Sequence, residues 1–168
     1  MDVVTPEILI ISNTHDYSSD LIAVELNARN ANSFRLNRDK FHNMELSLFP
    51  SVPTLKGRWE GIDFEICAEK LKAVFFRAPV FLRDNYQPDL SPNDQLARGQ
   101  WAAFLRALTV FDDAIWVNHP VSTYRAEIKA YQLRIASKIG FDIPKSIATN
   151  VPKRYINQGQ WIAKTLEP

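Results

Sequence analysis

A chain of 168 residues with 20 basic against 19 acidic side chains and 46% hydrophobic residues has the composition of a folded globular domain, not of a disordered segment. Its single cysteine, Cys67, excludes a disulfide framework and a cysteine-rich zinc module. No apolar run approaches the ~20 residues of a membrane-spanning helix, and residues 1–6 lack the basic start of a secretory signal, so a reducing, cytoplasmic setting is expected.

The predicted elements open with residues 7–13, a continuous apolar run closed by Ser12 and Asn13, the pattern of a strand buried on both faces in a parallel sheet. Ser18 and Ser19 offer helix N-caps, and Leu21, Ile22, Val24, Leu26 and Ala28 follow at helical spacing up to Asn30. Residues 33–36 form a second strand. A strand, a helix and a strand within about 30 residues open a doubly wound α/β domain. Residues 44–49, 54–59 and 62–67, punctuated by Pro50, Pro53 and Glu60-Gly61, predict an inserted antiparallel meander. Residues 72–77 are another buried strand, stopped by Ala78-Pro79, which leaves Arg77 at its carboxyl end, where open α/β sheets bind ligands. A polar loop over 80–92 leads to an amphipathic helix over 93–110, then to a short strand at 114–117. A second long helix is expected from Ser122 or Thr123 to about Ile139, closed by Gly140. Short strands at 146–148 and 161–163 would flank a helix near 152–158.

The net charge of +1 conceals an asymmetry, because residues 1–118 hold 12 basic and 16 acidic side chains whereas residues 119–168 hold 8 and 3. A basic final stretch suits phosphates or an acidic partner, and the absence of an aromatic-basic signature argues against nucleic acid. No glycine-rich phosphate loop follows the first strand. His15, His42 and His119 lack metal-ligand spacing, Cys67 reads as a small buried hydrophobe, and Asp112-Asp113 reads as a turn, so no metal ligands are assigned.

Trp116-Val-Asn-His-Pro120, then Ala126-Glu-Ile-Lys-Ala130, Gln132-Leu133, Ala136, Gly140, Ile143-Pro-Lys-Ser146 and Thr149-Asn150, resembles the opening of the ATP-grasp domain of peptide-modifying ligases. That family runs as an Asn-x-Pro turn, a helix with a lysine and a Gln-Leu pair, a Gly-x-x-Ile-Pro-x-Thr exit and a Thr-Asn; here Ser146 replaces the threonine. Upstream, Val74-Phe-Phe-Arg-Ala-Pro79 resembles the aromatic strand and Arg-Arg-Pro of the microviridin-type, or graspetide, ligases, with Ala78 in place of the second arginine. The likeness is close over residues 70–168 and looser over 7–70.

The resemblance implies a Rossmann-like, mainly parallel pre-ATP-grasp domain over residues 1–118 with an inserted meander, and the first part of an ATP-grasp domain over 119–168. It implies an ATP-dependent carboxylate-amine or carboxylate-hydroxyl ligase working through an acyl phosphate, with ATP and Mg²⁺ as cofactors and a precursor peptide as partner. Lys129 and Lys164 match the lysines that approach the nucleotide phosphates, and Arg77 would meet a substrate carboxylate or phosphate. The Mg²⁺ ligands and the second half of the grasp match nothing in these residues, so no catalysis is expected from this chain alone, and a cut sheet face would favour a homodimer. The competing readings are a non-catalytic peptide- or partner-binding module, which binds without nucleotide, and a flavodoxin-like or receiver-like domain. For Arg77 the plain alternative is an ion pair with Asp84 or Asp112.

Overall fold

The computed structural model describes residues 3–77 and 91–151, with Tyr155 and Ile162. Lys164, Asp84 and most of the expected 80–92 loop, 152–158 helix and 161–163 strand lie outside the described residues.

β1 (Ile8–Ser12) is the hub of a four-stranded parallel sheet. It pairs on one side with β2 (Ser33–Asn37), reached through α1 (Tyr17–Ala28), and on the other with β6 (Ala73–Phe76), which in turn pairs with β7 (Ile115–Val117). The order is β2-β1-β6-β7. Between β2 and β6 the chain builds a separate antiparallel sheet from β3 (Glu45–Phe49), β4 (Thr54–Trp59) and β5 (Ile62–Cys67). Its second hairpin turns at Glu60 and Gly61, with φ of 50° and 79°, as a two-residue loop matched to strand twist requires. α2 (Pro92–Ala107) links β6 to β7, and α3 (Pro120–Glu127) and α4 (Lys129–Lys138) follow. The α/β class and the inserted meander expected from the sequence are therefore present.

Strand register assigns the two faces of the parallel sheet. Leu9, Phe34, Val74 and Trp116 form one cross-strand row and Ile11, Leu36 and Phe76 the next. This face meets Phe41, the meander residues Leu55, Phe64 and Ile66, and Leu105 and Leu108 of the α2 connection in one buried core. The opposite rows hold Ile8, Ser33, Ala73 and Ile115, then Ile10, Arg35, Phe75 and Val117. α1 lies on that second face, since Arg35 forms an ion pair with Asp20 of α1.

Several local expectations are corrected. The N-cap of α1 is Asp16 rather than Ser18 or Ser19: its carboxylate accepts from the Ser19 N–H at 3.3 Å, and Ser19 is itself buried inside the first turn. The long helix expected over 122–139 is two helices that share Ile128, whose extended ψ of 104° ends α3 and begins α4. No Pro or Gly marks the break. It is held by Gln132, whose side chain donates to Ala126 O at 2.6 Å and satisfies a carbonyl at the end of α3, while His119 caps the start of α3, its Nδ1 accepting from the Val121 N–H. Gly140, with φ 88°, closes the second helix as expected. Residues 146–148 are not a strand; no described strand stands beside them to share a ladder. Cys67 ends β5 half-buried, not fully buried.

Candidate functional site

β1 and β6 are the strands at which the chain changes direction: from β1 it winds through α1 to β2 on one side, and from β6 through α2 to β7 on the other. The crevice outside the carboxyl ends of such a pair is where open α/β sheets hold ligands. Here that crevice is bordered by Ser12, Asn13, Asp16 and Arg77.

The arrangement is polar and highly connected. Arg35, on the α1 face of β2, donates from Nε to Ser12 Oγ and to Asn37 Oδ1, both at 2.9 Å, and from Nη2 to Asn13 O at 2.5 Å, while Nη1 meets Asp20. Ser12 Oγ also donates to Asn37 Oδ1 at 3.1 Å, so two buried polar residues are satisfied by one guanidinium and by each other. Arg38 Nε donates to Asn13 Oδ1 at 2.5 Å, and the Thr14 N–H to Asp39 Oδ1 at 3.0 Å. Partial burial pushes the Asp39 carboxyl up, but hydrogen bonding from Thr14 outweighs it and holds the group below its ordinary value. These bonds pin the β1–α1 turn to the segment that follows β2. The sequence did not single out Arg35; its signal was the lone charge of a short strand, part-buried and so in need of a partner.

Arg77 is placed by its own N–H, which donates to Ile11 O at 2.8 Å and prolongs the β1–β6 ladder by one step. Its guanidinium is about half exposed and faces Asp16 Oδ2 at 3.3 Å, so its described partner is Asp16 and not Asp112. Asp16 thus spans the crevice, one oxygen on the α1 N-terminus and the other on Arg77. Arg35 is spent on internal bonds, whereas Arg77 presents an accessible fork of the kind that binds carboxylate or phosphate.

Lys129 is the first residue of α4, which packs chiefly against α3, so it and Arg77 stand on separate elements. Among the described residues no three His, Cys, Asp or Glu side chains gather as a metal site. An apolar groove of about 530 Å³ along α2 is lined, among the described residues, by Ala97, Gln100, Trp101, Ala103, Phe104 and Ala107, none of them titratable. No helix among the described residues is long and apolar enough to cross a membrane.

No protein-family model and no curated protein matches the sequence. Solved structures do match. Macrocyclase MdnC from Microcystis aeruginosa MRC, bound with precursor peptide MdnA, superposes with a TM-score of 0.70 at 19% identity, over 91% of this chain and 50% of that one. The fold is shared with RiPP ATP-grasp ligases. The ATP-grasp ligase PsnB, complexed with a minimal precursor, gives 0.65 at 19% over 94% and 50%. A Chryseobacterium gregarium RiPP-associated ATP-grasp ligase, in complex with ADP and a leader and core peptide, gives 0.64 at 24% over 88% and 45%. The chain therefore spans about half the length of the ligases it matches. At these identities the likeness establishes the fold, and at that level the resemblance read from residues 70–168 is borne out.

Proposed function

We propose that the chain is the pre-ATP-grasp domain (residues 1–118) and the first part of the ATP-grasp domain (residues 119–168) of a cytoplasmic ligase that joins a peptide carboxylate to an amine or hydroxyl. The observation that carries this reading is the fold, common to half of each of three peptide-bound ligases or macrocyclases. In such an enzyme ATP with Mg²⁺ supplies the activation of the carboxylate as an acyl phosphate, and the product is one water lighter than the peptide. Within this chain, Arg77 is the group assigned to the substrate carboxylate or phosphate, and Asp16 orients its guanidinium in the crevice.

Lys129, the first residue of α4, is assigned to the nucleotide phosphates on its match to the helix lysine of the family it resembles. Lys164 is assigned to the same phosphates from the sequence resemblance. The described residues provide no Mg²⁺ site, so we assign the metal to none of them.

The test begins with the mass of the protein in its native source. A mass well above 19.3 kDa, with ATP consumed as a carboxylate-rich peptide loses water, is the expected result, and Lys129→Ala should then weaken nucleotide binding. Peptide binding indifferent to nucleotide, with no turnover at natural length, would overturn the ligase reading and leave a binding module.

A further inference from the structure

Arg77 does not meet a ligand as a lone cation. Asp16 Oδ2 stands 3.3 Å from its Nε, and the two side chains differ in setting: the Asp16 side chain is 16% exposed and that of Arg77 53%. The carboxylate is also firmly held. Its other oxygen accepts from the Ser19 N–H at 3.3 Å, the Asp16 backbone oxygen accepts from Ser19 and Asp20 in the first turn of α1, and the Asp16 N–H donates to Asn13 O at 3.2 Å. Asn13 in turn is fixed by Arg35 through its carbonyl and by Arg38 through its side chain. A negative charge is therefore built into the crevice beside Arg77, and it cannot swing into solvent without uncapping α1. Arg35 does not offset it, being neutralised by Asp20.

We propose, on the reading of Arg77 as the group that meets the substrate anion, that Asp16 is a specificity-determining residue: it sets the crevice for a singly charged carboxylate and against a phosphate. With Nε given to Asp16, a ligand takes the edge formed by Nη1 and Nη2, which puts the two anions roughly 7 Å apart around one guanidinium. That lies within the ~8 Å screening length of physiological salt. Two unit charges at this distance repel enough, even in water, to lower affinity about threefold. The penalty scales with ligand charge, so a phosphate carrying nearly two charges loses about tenfold. A carboxylate pays the smaller penalty and gains from the fixed orientation that Asp16 gives the fork. Activation as an acyl phosphate adds negative charge to the group that Arg77 holds, so the crevice retains the activated group less well than the free carboxylate.

Titration of the 168-residue chain with two blocked amino acids, N-acetylglutamate amide and N-acetylphosphoserine amide, tests this. At about pH 8 their side chains carry one and nearly two negative charges. Backbone amide shifts of residues 11–19 report binding. The variants are Asp16→Asn and Asp16→Ser, which remove the charge but keep an N-cap oxygen, so circular dichroism and melting temperature should match the parent. In ~20 mM salt both variants should shift the affinity ratio about threefold toward phosphoserine, and ~1 M salt should abolish that shift. Loss of the guanidinium's orientation alone would weaken both probes alike and leave the ratio unmoved. Arg77→Ala should lose both probes. An unaltered ratio in the two Asp16 variants, with both probes lost in Arg77→Ala, would overturn the selective role of Asp16 and leave Arg77 in the site. Probes bound equally by Arg77→Ala and the parent would remove Arg77 from the site and overturn the proposal with it.

Discussion

The same substitution at two glycines should have opposite effects, and both can be worked from the coordinates. Gly57 lies in β4 opposite Phe64, and a Cβ built on it would stand 2.3 Å from Phe64 Cζ and 2.8 Å from the backbone oxygen of Glu45. Carbon atoms in contact need about 3.5 Å, so the ring would have to withdraw by roughly 1 Å. Phe64 cannot do so freely: it is buried and packs on Phe34 with ring centroids 4.5 Å apart. Retreat of the backbone instead would open the β3–β4 ladder. Overpacking of this kind costs about 1–3 kcal/mol, offset in part by the ~0.5 kcal/mol that alanine gains by restricting the unfolded chain. Gly57→Ala should therefore lose about 1–2 kcal/mol, or roughly 2–8 °C in a domain of this size. Gly99, inside α2, has nothing within 4 Å of a built Cβ, so Gly99→Ala should gain about 0.5–1 kcal/mol. Urea unfolding followed by tryptophan fluorescence, at unchanged m-value, measures both. A Gly57→Ala variant as stable as the parent would show that the meander and the core are not packed as described, and Phe64→Leu in the Gly57→Ala background should recover part of the loss.

Arg35→Met should destabilise the chain by about 2 kcal/mol, because Asp20, Asn13 O and the Ser12–Asn37 pair all lose a charged donor; denaturant midpoints measure it, and a loss below a few tenths would refute the network's importance. Arg77→Ala should alter stability by less than about 0.5 kcal/mol, its ion pair being exposed, yet should weaken binding of a carboxylate-bearing peptide about tenfold. Unchanged peptide affinity would remove Arg77 from the site. The Asp39 carboxyl is held below its ordinary value, so its contribution to stability is present above about pH 4 and lost as pH falls through the lowered value. Asp39→Asn should accordingly flatten the acid limb of a stability-versus-pH curve, and an unaltered slope would contradict the Thr14 contact.

Local patterns were enough to place most of the framework. The apolar run at Ile8–Ser12, the alternation through the meander, and the Glu60-Gly61 turn carry their geometry in neighbouring residues, because strand burial and hairpin twist act over a few positions. Arg77 at a strand end was legible for the same reason, since the residue before Pro79 cannot continue in helical space. The break at Ile128 was not, because the bond that holds it, from the Gln132 side chain to Ala126 O, is made by a residue that carries no helix-stop signature.

What the sequence determined by itself is the α/β order and the inserted meander, and residues 70–168 carried a resemblance to peptide-modifying ligases whose fold the structure shares. Only the tertiary structure decided that Arg77 meets Asp16, that Arg35 is consumed by partners up to 23 residues away, and that the meander packs on the core face of the parallel sheet. Those outcomes depend on which strands lie side by side and in what register. Register is set by packing summed over the whole core, and no short stretch of residues contains it.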